Sequence, residues 1–310
     1  MNRFMRFYNQ NRKTFWVIII AAIIIINVPR MLNDYIKKRN EQNSNNTATN
    51  VSVEKDRNIS SKPTISGEKI EEKTTVETVN IIDEFMNYCN SKEIEKAYDL
   101  LSNDCKERLF PELKDFQERY YNKVFSQKRN YNIETWVTTS TSVTYKVVIM
   151  EDMLSTGKSS DFNITEYYTI VVTGEGKRLN INNYIGKKLV TTENTVNNIR
   201  FRVLEKHIYS DYVIYKLSVQ NNTKNEIMID SKEKNRTVNI TNEKGQPYYA
   251  FLNEIAASDL IILPGITKEI EIKFNKMYNP DYKEKSMIFN DIVLDTNNKN
   301  ERTNIKIDIE

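Results

Sequence analysis

The stretch LKDFQERYYNKVFSQKRNYNIETWVT, residues 113–138, changes its periodicity part-way along, and that change decides the fold. Leu113, Phe116, Tyr120 and Val124 recur at helical spacing, so the first half predicts an amphipathic helix. After Ser126 the helical period stops. From Tyr131 apolar and polar residues alternate, and the spacing predicts a strand over 133–138.

Upstream of this switch the chain is helical. Val76, Val79, Ile82, Phe85, Met86 and Cys89 make one apolar stripe. Asn90, with Glu93 three positions on, reads as a capping-box start for a second helix carrying Ile94, Ala97, Tyr98 and Leu101. Downstream, Val143, Tyr145, Val147 and Ile149 alternate on one strand face. A further strand follows over 164–172, then a Gly174-Glu175-Gly176 turn and a strand through Leu179 and Ile181. Three helices followed by an antiparallel meander predict an α+β unit over 74–187, with helices on one face of a curved sheet.

From about Thr195 every segment reads as a strand: 199–203, 213–219, 227–229, 238–240, 260–263, 270–274, 288–294 and 305–309. Short strands separated by Asn-rich and Gly/Pro turns predict an all-β sandwich over 195–310. It lacks a Cys-Trp-Cys signature, which excludes the antibody-type subclass. The pattern resembles the immunoglobulin-like modules at the C-termini of Gram-positive envelope proteins.

The run KAYDLLSNDCKERLFPELKDFQERY, residues 96–120, carries a second resemblance. Its Ala97-Tyr98-x-Leu100-Leu101 and Phe110-Pro111-x4-Phe116 elements resemble the second-to-third helix segment of nuclear transport factor 2-like domains, over about residues 75–185. That resemblance implies a cone-shaped fold, which serves enzymes, carriers and scaffolds alike. It also implies that Tyr98, Phe116, Tyr120, Trp136, Tyr145 and Tyr168 line a pocket in the cone, or fill it.

The N-terminus sets where these units sit. Residues 15–26, FWVIIIAAIIII, are uncharged and Ile-rich, with Arg12 and Lys13 before them and Pro29 and Arg30 after. Twelve residues cover only about 18 Å of a hydrocarbon core roughly 30 Å thick. No small-residue cleavage pair follows, however, so an uncleaved transmembrane helix over 15–32 is expected, with Lys13 and Arg30 snorkelling to the interfaces. Residues 1–14 then form a basic cytoplasmic tail, and residues 33–73 a flexible linker poor in large apolar residues. If flexible, its stretch from Asn40 to Lys73 spans about 30 Å.

The net charge of +3 hides an asymmetry, because residues 1–39 hold eight Lys and Arg against one acid, leaving 37 against 41 beyond them. A mildly acidic remainder argues against direct nucleic-acid binding, which needs a clustered basic surface. Two cysteines, Cys89 and Cys105, and one histidine, His207, cannot build a Cys/His zinc site, and a triad for hydrolysis lacks partners. His207 reads as a partly exposed strand-end residue. Asp281, Asp291 and Asp295 are too far apart for a calcium loop. Asp115 and Asp161 are the acids to inspect for acid/base chemistry, although both read as surface residues.

The order of parts resembles the membrane-anchored assembly proteins of conjugation and type IV secretion systems, although those repeat the cone domain where this chain has the sandwich. The function expected is a non-enzymatic, extracytoplasmic, single-pass scaffold without cofactor. Its partners are membrane lipid, other envelope or secretion proteins, and further copies of the chain. The alternative is an envelope ligand-binding or sensing protein that uses the aromatic cone.

Overall fold

The computed structural model describes residues 59–152, 163–229 and 236–309. The apolar run at 15–26, most of the expected linker and Asp161 lie outside them. Among the described residues no helix is long and apolar enough to cross a membrane.

Helix α1 spans Glu72–Asn90 and buries Thr75, Thr78, Val79, Ile82, Phe85, Met86 and Cys89. Val76, expected in this stripe, is exposed. At about 100° per residue it stands about 120° round from Ile82, off the buried face. Asn90 does not cap the next helix. Its side chain donates to the Arg129 carbonyl at 2.9 Å and accepts from the Arg129 N–H at 2.8 Å, fastening the end of α1 to the first strand. Helix α2 (Ile94–Asp99) starts after Glu93 without a side-chain cap. Helix α3 (Asn103–Leu109) is capped by Ser102, whose Oγ accepts from the Cys105 N–H at 3.0 Å. Helix α4 begins at Leu113–Phe116 under a Glu112/Asp115 capping box, widens into a π-type turn at Gln117–Tyr121 and ends at Asn122–Val124. In the wide turn both Tyr120 and Tyr121 are buried.

Strands β1 (Arg129–Thr138), β2 (Ser142–Glu151), β3 (Asn163–Thr173) and β4 (Gly176–Asn180) form an antiparallel meander in the order β1-β2-β3-β4. Val143, Tyr145, Val147 and Ile149 of β2, with Tyr168 and Ile170 of β3, pack against α1 and α4 in one core. The pairing of β1 with β2 shifts at Trp136. That extra residue puts Val137 opposite Thr144, where unbroken alternation would have kept it opposite Val143.

Eleven strands follow: β5 (Tyr184–Leu189), β6 (Glu193–Val196), β7 (Ile199–Tyr209), β8 (Val213–Asn221), β9 (Ile227–Met228), β10 (Val238–Asn242), β11 (Pro247–Tyr249), β12 (Ile261–Ile262), β13 (Thr267–Phe274), β14 (Glu284–Val293) and β15 (Arg302–Asp308). One sheet runs β13-β8-β7-β5, with β6 also on β7. The other runs β11-β10-β14-β9-β12, with β15 on β14. They share a core in which Phe201, Tyr215 and Leu217 meet Ile240, Met287, Phe289 and Ile307. The Phe201 and Phe289 ring centroids are 4.7 Å apart. The fold is thus mixed α/β, built mainly on antiparallel sheets.

All eight strands expected after residue 195 are present, joined by the short β6 and β11. Two further findings differ from expectation. Residues 59–73, expected to be linker, pair with β1 or open α1. Strand β5 follows the meander directly but pairs with β7 of the second part, so the two parts share backbone ladders as well as a chain connection.

Candidate functional site

Five of the six expected pocket residues gather in the core between helices and meander. Helix α4 supplies Phe116 and Tyr120, stacked at 5.7 Å with a 21° interplanar angle. Strand β3 supplies Tyr168, which meets Phe85 of α1 edge-on at 5.8 Å. Phe116, Tyr145 and Tyr168 are fully buried and Tyr120 nearly so. Tyr98 lies at the margin, its ring 5.8 Å from Phe116 and its hydroxyl donating to the Phe110 carbonyl at 2.9 Å. Trp136 does not join them. It lies in a separate cluster with Val137 and Ile185, its ring 4.2 Å from Tyr167 and 6.3 Å from Tyr278.

The hydroxyls inside the core satisfy one another. Tyr145 Oη and Thr78 Oγ1 are 2.5 Å apart. Tyr120 Oη donates to Glu166 Oε2 at 2.8 Å and lies 2.6 Å from Tyr168 Oη. Glu166 was not among the expected site residues. Its signal was present in the alternation Ile164, Glu166, Tyr168, Ile170, where one acid shares the face of apolar residues. Burial raises its carboxyl to about 7, against hydrogen bonds from Tyr120, the Asn182 backbone and Tyr168 that favour the ionised form. Burial, with the Glu166 charge beside them, raises both tyrosines well above their usual value.

A groove of about 310 Å³ opens at the end of this core. Thr74, Thr78, Thr139 and Ser142 line it, with Lys69 and Lys177 among its walls. Lys177 is ion-paired to Glu77 of α1. The groove thus offers hydrogen-bonding groups beside the apolar Ile170 and Val172.

Two ionic clusters lie elsewhere. At the junction of the parts, Arg108 of α3 makes a two-pronged pair with Glu271 of β13 at 2.7 and 2.8 Å, and its Nε donates to Tyr209 Oη at 3.3 Å. His207, expected to be partly exposed, is buried beside this cluster, 3.2 Å from Tyr184 Oη and 3.3 Å from Glu205. Burial and the Arg108 charge lower its pKa. The strand end is covered because Tyr184 and Tyr209 pack around it. In the second cluster Glu284 receives Lys206 at 2.6 Å and Lys276 at 2.8 Å, all three buried. Burial lowers Lys206, whereas for Glu284 the two ammoniums outweigh burial and hold it below the ordinary carboxylate range.

Cys89 and Cys105 are free, buried thiols. Asp115 sits on α4 and pairs with Arg119 at 2.9 Å. Among the described residues no three His, Cys, Asp or Glu side chains are grouped to hold a metal ion. Comparison with protein-family models, with curated proteins and with solved structures found no match.

Proposed function

We propose that the chain is a non-enzymatic assembly subunit of a bacterial envelope complex, of the kind found in conjugation and type IV secretion. In this reading residues 15–32 cross the membrane, the tail at 1–14 is cytoplasmic and the folded part is extracytoplasmic. The folded part comprises a nuclear transport factor 2-like cone and an immunoglobulin-like sandwich. The observation that carries the reading is the packing of the cone. Phe85, Phe116, Tyr120, Tyr145 and Tyr168 fill it, and their hydroxyls are already paired. A ligand entering there would displace buried rings and strand their hydroxyls, each at a cost of about 1–3 kcal/mol. Recognition then belongs to the outer surface, where Val76, Val172, Leu189 and Met277 are exposed.

Photo-crosslinking in cells, from Val172 and Met277 of the full chain, tests this. Adducts with another envelope protein or with a second copy are expected. Recovery of monomer alone from every position would overturn the proposal. The alternative, ligand binding, draws support from the groove beside Thr78, and saturable protection of Thr139–Ser142 amides by a small envelope-derived ligand would favour it.

A further inference from the structure

Residues 59–70 lie along the outer edge of β1 as a closed loop. At its neck the Ile70 N–H donates to the Ser61 carbonyl at 3.1 Å. Along the strand, Thr64 N–H donates to the Thr135 carbonyl at 3.1 Å, Ile65 N–H to the Trp136 carbonyl at 3.0 Å, and Thr138 N–H to the Ser66 carbonyl at 3.0 Å. The Thr135 and Thr138 hydroxyls donate to the carbonyls of Ser60 and Glu68, both at 2.6 Å. One more bond leaves the loop: Ser66 Oγ donates to Asp281 Oδ2 at 2.6 Å, in the segment between β13 and β14. The loop therefore joins the meander to the second part of the fold.

Its seat is tight but thinly supported by apolar burial. Gly67 has φ +108°, and a Cβ there would fall 2.1 Å from the Thr138 carbonyl oxygen. Ile65 is 49% exposed, and the cluster beneath holds only three buried apolar residues, Trp136, Val137 and Ile185. Ile59 and Ile70 reach the larger core only at the neck. A segment held mostly by hydrogen bonds that water can replace has low local stability.

We propose that residues 59–70 form a clip that opens and closes as a unit while the rest of the fold stays intact, and that its closure adds a second tie, beside the Trp136–Tyr278 contact, between the meander and residues 275–283. The clip is set by Gly67 and latched by Ser66 on Asp281.

Native-state hydrogen exchange on the full chain tests the proposal. The Ile65 and Thr138 amides should exchange at least about tenfold faster than those of the central strand β2. Gly67→Ala should abolish protection at Ile65 and Thr138 while β2 stays protected to within about twofold. The milder Asp281→Ala should speed exchange at the same two amides, leaving β2 unchanged. Exchange of Ile65 and Thr138 in step with β2 would overturn the proposal. So would global unfolding of Gly67→Ala, or an Asp281→Ala protein with unaltered clip amides.

Discussion

Glu166 shows what one buried acid does to the whole molecule. Its carboxyl titrates near 4.5 when unfolded and at about 7 when folded. Below the lower value both states hold the proton. Between the two the unfolded chain loses it first, so stability falls as pH rises, and above about 7 the penalty is constant. A shift of this size is worth on the order of 3 kcal/mol. Glu166→Gln should therefore match the parent near pH 4 and exceed it above pH 7, with a higher Tm in thermal melts. A difference that does not grow between pH 4.5 and 7 would contradict the assignment. The face that Glu166 occupies is legible in the alternation around Tyr168. Tyr120 was legible as well, at helical spacing with Phe116 and Val124, but its pairing with Glu166 was not, because periodicity along one element does not say which residue of another element it meets.

At the scale of elements, the junction of α3 with β13 rests on one residue. The Arg108 guanidinium grips both oxygens of Glu271, and this hydrogen bond, against partial burial, holds the carboxyl below its usual range. The pair's contribution is present above the unfolded carboxylate value and lost as pH falls through the depressed one. Glu271 is partly solvated, so the pair is worth about 1 kcal/mol, and loss of the Tyr209 bond adds to that. Arg108→Ala should lower stability by about 1–2 kcal/mol in urea titrations, and Arg108→Lys should recover only part, because an ammonium cannot reproduce the two-pronged geometry. If Lys restored full stability, simple charge attraction would suffice. Strong apolar periods made α1, α4 and the longer strands legible in the sequence. The clip was not, since its order comes from backbone bonds to β1 and from the close approach at Gly67, neither of which leaves an apolar pattern. The bulge at Trp136 is equally silent, and it moves Val137 from opposite Val143 to opposite Thr144, whereas Trp136 lies on the far face by simple alternation with Tyr131 and Ile133, which pack toward the helices.

Over the whole folded region the two cores are distinct in residues but not in strands. Strand β7 gives Ile199, Phe201 and Val203 to the core between the sheets, and its last residue, Tyr209, to the core under the helices. Strand β8 divides likewise, with Val213, Tyr215 and Leu217 in one core and Ile214 packed against the other. The change from helices and a meander to strands alone between residues 187 and 195 suggests a boundary between independent domains, but long strands with both ends buried leave no such mark in a sequence. Cutting the chain after residue 187 would strip the helical core of Tyr209, Tyr212 and Ile214 and free Arg108 from Glu271. At about 1.5–3 kcal/mol for a fully buried side chain such as Tyr209 and less for the partly buried Tyr212 and Ile214, with strand β5 also left without its β7 partner, that loss is a large share of the stability of an ordinary domain. Residues 58–187 alone should therefore show no cooperative melt, whereas residues 58–310 should give one calorimetric transition with a van't Hoff ratio near unity. Two resolved transitions, or a folded 58–187 fragment, would mean that the shared strands couple the cores too weakly to unite them.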